Sequence, residues 1–231
     1  MENPLQNSGS LDKIVSRYDL VLFDTSAILG FNRRREQDLS FKDRMDLAES
    51  AFENSRYLLS YAEKGLISLV PGVIEEINAN NGHNVKKKMR ERQSRRERIF
   101  RDSEREYLEL VRAKQKSLKP ARKLVEAVEL KQKVIQLNQE ESLLYEQLGF
   151  NFKQLREKYS LSEVDFSILI SGLVLSYKRG STAIISNDFN LLDSGRKIAA
   201  ESKMDWDKFG FFVRKKMSSF ISASHVLSRF Y

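Results

Sequence analysis

The sequence predicts an α/β fold, a parallel sheet with an inserted, protruding helical hairpin. Three observations carry that reading. Short apolar runs without polar alternation, the kind that fill buried parallel strands, stand at 20–23, 66–70, 181–186 and 209–215. Helical patterns separate them, so strand and helix alternate as crossover connections require. Between Val85 and about Tyr159 the rhythm stops, no strand is recognisable, and the charge turns strongly basic.

Composition narrows the class. The 231 residues fit one substantial domain, or one with a sizeable insertion. The absence of cysteine excludes disulfides, thiolate metal sites and cysteine nucleophiles. The opening MENPLQNSGS is polar and lacks the apolar stretch of a signal peptide. The best apolar run, around Phe166 to Leu175, is too short to span a bilayer. A soluble, cytoplasmic protein is expected, with no membrane partner. The net charge of +8 is unevenly placed: Val85 to Lys123 holds 16 Lys/Arg against 6 Asp/Glu. That local surplus of +10 leaves the remainder at −2, as expected of a footprint for a polyanion.

The elements follow in order. Leu20 to Phe23 is the first strand and ends on Asp24, followed by Thr25 and Ser26. A helix is predicted from Phe41 to Lys64, with Ala48, Ala51, Phe52, Tyr57, Leu58, Leu59 and Ala62 on its apolar side and Gly65 as its stop. LISLV (66–70) is the second strand; Pro71 opens a helix that Asn80-Asn81-Gly82 ends. Residues 85–153 form the basic helical insertion, set between a body of 1–84 and 154–231. Within it KKKMRERQSRRER (86–98) has one apolar residue, Met89, and reads as a solvated basic helix. Ile99, Phe100, Tyr107, Leu108 and Val111 are read as a helical stripe that Pro120 is expected to break. Leu124, Val128, Ile135 and Leu137 resume it on a second helix, giving the hairpin. LSEVDFSILISGLVLSYKRG (161–180) is an amphipathic helix, STAIIS (181–186) the third strand, 187–202 a turn and helix, and FGFFVRK (209–215) the fourth strand. The tail from Ser218 is expected to be a short helix.

Why a charge ends the first hydrophobic strand is the functional question. Taken alone, Asp24 caps a helix and suits its dipole. Asp188 caps another, Ser162-Glu163-Val164-Asp165 is a capping box with Asp for Glu, and Glu76 is a surface residue. The joint pattern says more. Asp24 and Asp188 both follow buried strands, and sites in parallel α/β sheets form outside the carboxyl ends of strands. If those strands are neighbours, the two carboxylates converge. Clustered carboxylates repel until a cation neutralises them. Hard oxygen ligands suit Mg²⁺ or Mn²⁺, which activate water for phosphodiester displacement. A metal-free ribonuclease commonly uses a pair of histidines, and this chain has only His83 and His225.

LVLFDTSAIL, LVPGVIEEI, LSEVDFSILISGL and AIISNDFNLL resemble, in order, the four signature segments of PIN-domain nucleases. The resemblance covers about 18–82 and 160–215. It implies that Asp24, Glu76, Asp165 and Asp188 form an acidic pocket binding Mg²⁺ or Mn²⁺, with Thr25, Ser26, Ser186 and Asn187 in support. Glu76 is preferred to Glu75 because the family's glutamate precedes an apolar residue, here Ile77. Only Glu163 accompanies Asp165 in the third segment, fewer acids than many relatives carry. The family's reaction is endonucleolytic hydrolysis of RNA leaving 5′-phosphate and 3′-hydroxyl ends. A helical insert between the second and third segments is similar in outline to the homologues of Aquifex RNase P, which implies maturation of tRNA-precursor 5′ ends and a homo-oligomer. The expected RNA contacts are Lys86, Lys87, Lys88, Arg90, Arg92, Arg95, Arg96 and Arg98. Two alternatives stand beside this reading: a non-catalytic RNA-binding scaffold on the same fold, and a toxin-type RNase.

Overall fold

A computed structural model describes residues 11–29, 40–79, 101–201, 208–216 and 219–222. In chain order these form α1 (Leu11–Arg17), β1 (Leu20–Phe23), α2 (Thr25–Leu29), α3 (Phe41–Glu63), α4 (Pro71–Ala79) and α5 (Arg101–Leu130). There follow α6 (Gln139–Asn151), α7 (Lys153–Lys158), α8 (Glu163–Lys178), β2 (Thr182–Ile185), α9 (Phe189–Glu201), β3 (Phe209–Lys216) and β4 (Ser219–Ser222).

The sheet runs in the order β1-β2-β3-β4, and its first three strands are parallel. Leu20 pairs with Thr182 and Phe23 with Ile185, so β1 and β2 end on the same rung. Val21, Leu22 and Phe23 of β1 and all of β2 are buried, as expected of short runs without polar alternation. α8 covers the sheet and is buried on every face from Ile168 to Ser176. An amphipathic helix is expected there; a helix apolar all round belongs at the centre of a domain instead.

Three further expectations are corrected. The run 66–70 contributes single bridges, Ser68 to Leu22 and Leu69 to Val134, where a full strand is expected. Gly65 and the start of α4 at Pro71 bracket only five residues, which pair one way with β1 and the other way with 133–135. The tail is not helical over 219–222: this segment is β4, antiparallel to β3, because the open edge of β3 offers it a ladder. Residues 223–231 lie outside the described part.

The largest correction concerns the insertion. α5 passes straight through Pro120. A proline inside a helix costs roughly 3 kcal/mol. Leu118, Leu124, Val125 and Val128 flank it in one buried stripe, and burial of each stabilises by roughly 1.5–3 kcal/mol. Packing therefore outweighs propensity. The stripe lies chiefly along α3, and α5 also touches α2 and α4. From Leu118 onward the insertion shares the main core, so its described part is a packed layer and not a free hairpin. Residues 131–138 are an extended connection to α6 rather than helix. Asn138 and Glu141 form the capping box of α6, and Arg179 grips the buried Glu141 with two 2.6 Å hydrogen bonds, tying α6 to the end of α8. Among the described residues no helix is long and apolar enough to cross a membrane.

Candidate active site at the carboxyl edge of the sheet

One residue past their last shared rung, β1 and β2 present Asp24 and Ser186 side by side. Backbone pairing carries on there, with the Asp24 amide donating to Ile185 O at 3.0 Å. The Ser186 hydroxyl donates to Asp24 Oδ2 at 2.9 Å, joined on the same oxygen by the Ser26 hydroxyl and, at 3.2 Å, the Ser26 amide. The amide contact also makes Asp24 the side-chain cap of α2, whose first residue is Thr25. Asn187 closes the gap between the strand ends. Its backbone amide donates to Ser26 Oγ at 3.0 Å and its side-chain Nδ2 to Ser26 O at 3.2 Å. The Asp188 amide donates to Ser186 Oγ at 2.9 Å, while Asp188 Oδ1 accepts from the amide of Asn190 at 2.8 Å, capping α9. Asp24, Ser26, Ser186, Asn187 and Asp188 are thus one hydrogen-bonded unit.

The other two carboxylates arrive on helices. Thr25 Oγ1 donates to Glu76 Oε2 at 2.6 Å, which fastens α4 to the start of α2. Glu76 is half-buried and its neighbour Glu75 exposed. Asp165 sits in the first turn of α8, where Oδ2 accepts from the Ser162 hydroxyl at 2.7 Å and the Ser162 amide at 3.1 Å. Gly72 lets α4 meet that turn closely, because a Cβ there would stand 3.1 Å from Val164 Cγ2. The sequence reading did not single out Gly72, and a glycine after the proline of a helix start carries no signal of close approach.

Asp24 is 2 % exposed. Burial, and after it the negative charge of Asp165, push its carboxyl up to about 7, against the pull of the hydrogen bonds from Ser26 and Ser186. Asp24 and Asp165 therefore feel one another across the site although neither touches the other by hydrogen bond.

The donor chemistry suits a hard divalent cation: oxygen donors throughout, a buried carboxylate whose charge is unfavourable without a counter-charge, and one buried amide oxygen, Asn187 Oδ1, with no hydrogen-bond partner. The arrangement is less closed than the chemistry. Among the described residues no three His, Cys, Asp or Glu side chains are gathered as a metal-holding group. Asp165 is turned to Ser162, Glu76 to Thr25 and Asp188 to the α9 amides. The eight expected RNA contacts from Lys86 to Arg98, and both histidines, lie outside the described residues. No protein-family model, curated protein or solved structure matches the chain.

Proposed function

We propose that this protein is a metal-dependent endoribonuclease that hydrolyses RNA phosphodiester bonds at the carboxyl edge of its sheet. One observation carries the reading: Asp24, buried at the end of β1, is brought beside the Ser186–Asp188 turn of β2 and within electrostatic reach of Asp165, while Thr25 holds Glu76 at the same edge. Asp24, Glu76, Asp165 and Asp188 would hold Mg²⁺ or Mn²⁺. When bound, such an ion polarises a phosphate and lowers the pKa of a coordinated water. The serine and threonine hydroxyls orient the carboxylates, and Asn187 locks the two strand ends together. Structured RNA such as tRNA precursors is the substrate class the family resemblance points to, with 5′-phosphate products and a homo-oligomeric enzyme.

A second reading, a non-catalytic RNA-binding protein, is favoured by a specific observation: Asp24, Asp165 and Asp188 each already serve a helix start. The two are separated by incubating purified protein with total small RNA in Mg²⁺, Mn²⁺ or EDTA and mapping product ends. Cleavage in metal, abolished by EDTA and by Asp24→Asn, supports the nuclease. Intact RNA under all conditions, or cleavage that survives EDTA, overturns it.

A further inference from the structure

The outer face of α5 carries a row of cations that the mechanism does not use. Arg105, Arg112, Lys116, Lys119 and Lys123 are all exposed. Their spacing of 7, 4, 3 and 4 residues returns each to one side of a helix with 3.6 residues per turn. At about 1.5 Å per residue the row spans about 27 Å. Leu110, Leu118, Ala121, Val125 and Val128 are buried on the opposite side, against α3 and the core. Charge is segregated along the row as well as around it. From Arg112 to Lys123 the helix holds six Lys/Arg and no Asp/Glu. Acid enters near the row's start, where Glu109 pairs with Arg105 at 3.5 Å. Lys116 is steadied by Phe52 of α3, its Nζ lying 5.1 Å from the ring centroid.

We propose that this face of α5 is a phosphate-binding rail for RNA, one that tracks a nucleic-acid backbone beside the carboxyl-edge site. The proposal rests on the ribonuclease reading for its choice of polyanion. A duplex carries one charge per about 1.7 Å of axis, so a row of five cations about 27 Å long meets phosphates along its length. A membrane surface fits less well. An amphipathic helix binds lipid by inserting its apolar face, and that face of α5 is already buried on α3. α5 also touches α2 and α4, the helices that carry Thr25, Ser26 and Glu76. A backbone held on the rail is therefore held on a helix that packs against the elements that build the site.

The test uses the full chain in EDTA, so that binding is read without cleavage. Anisotropy of a fluorescein-labelled RNA duplex is followed from 50 to 300 mM KCl for three proteins. These are the parent, a rail variant (Arg112→Gln, Lys119→Gln, Lys123→Gln) and a control with the same charge removed elsewhere (Lys13→Gln, Lys153→Gln, Lys158→Gln). Losing three phosphate contacts should flatten the slope of log affinity against log salt by about 2.7 for duplex. The control should keep the parent's slope. Thermal midpoints of all three should agree, since every exchanged side chain is exposed. Equal slopes for parent and rail variant, or equal flattening in rail variant and control, would overturn the rail. So would a parent that binds phosphatidylserine vesicles or polyglutamate but not the duplex, which would assign the row to a membrane surface or an acidic protein. Cleavage of a short oligonucleotide in Mg²⁺ is scored separately. A protein that cleaves nothing yet loses its salt slope in the rail variant keeps the rail and loses the nuclease reading; the converse keeps the nuclease and loses the rail.

Discussion

β1 is four residues long and has an aspartate beside each end, and the two behave in opposite ways. Asp19, at the amino end, is exposed and accepts two 2.8 Å hydrogen bonds from the amide and hydroxyl of Ser181. Those bonds hold its carboxyl below the ordinary range. Asp24, at the carboxyl end, accepts three hydroxyl and amide bonds from Ser26 and Ser186, one more than Asp19, yet is pushed up to about 7. The serine partners are alike, so they do not decide the outcome. Burial and a second carboxylate do, because desolvation and a like charge both penalise the ionised form. The amino end is built to hold two strands together. The carboxyl end keeps a charge where it is unfavourable, the kind of perturbation that marks functional sites.

The widest gap between the ends should appear in activity. Asp24→Asn should lower metal-dependent cleavage by more than about 100-fold, since losing even an outer partner of a metal ligand costs up to that much. Asp19→Asn should leave cleavage per folded molecule unchanged. A single-turnover assay on one labelled RNA reads both.

Stability should separate them next, with opposite pH dependence. The folded pKa of Asp24 lies above its unfolded value, so its contribution is fully present at low pH and is lost as pH rises through about 7. Without metal, Asp24→Asn should therefore stabilise at pH 8, by up to about 4 kcal/mol. That gain should vanish at pH 2, where both states of the parent are protonated. Asp19 has a lowered folded pKa, so its contribution is present above the unfolded value and is lost as pH falls through the folded one. Asp19→Asn should destabilise at pH 8 and not at pH 2. Urea melts at these pH values check both signs.

A smaller effect sharpens the amino end. Gly180 has φ 138°, and a Cβ there would stand 2.6 Å from Asp19 Oδ2. Gly180→Ala should cost roughly 1–3 kcal/mol, the range for a side chain forced into such backbone. Cleavage at the far end should not change.

The parts of this site that were legible in the sequence were the local ones. An unbroken apolar run ending in Asp24, a second ending in Ser186-Asn187-Asp188, and Ser162 three residues before Asp165 are patterns of adjacent residues, and local physics resolves them. β1 falls at Leu20–Phe23 as expected, and α3 falls within one residue of its expected end. What failed depended on partners far along the chain. Pro120 breaks a lone helix, but not one whose leucines and valines on both sides are buried against the rest of the fold. Residues 66–70 look like a strand, but their pairing is split between β1 and 133–135, which leaves two single bridges. β4 is a strand because β3 leaves an edge beside it. As their capping readings have it, Asp24 caps α2, Asp165 completes the box at the start of α8 and Asp188 caps α9, and Ser186 links Asp24 to Asp188 where β1 and β2 end.

The central claim, that the fold holds the Asp24 carboxylate at a cost which a cation relieves, is tested most directly by its own titration. The Cγ resonance of Asp24, assigned by its loss in Asp24→Asn, is followed from pH 4 to 9 in ¹³C-labelled protein, first in EDTA and then in Mg²⁺. The midpoint should lie near 7 without metal and fall clearly when Mg²⁺ is added. A midpoint near the ordinary 3.9, or one near 7 that Mg²⁺ does not move, would contradict that claim.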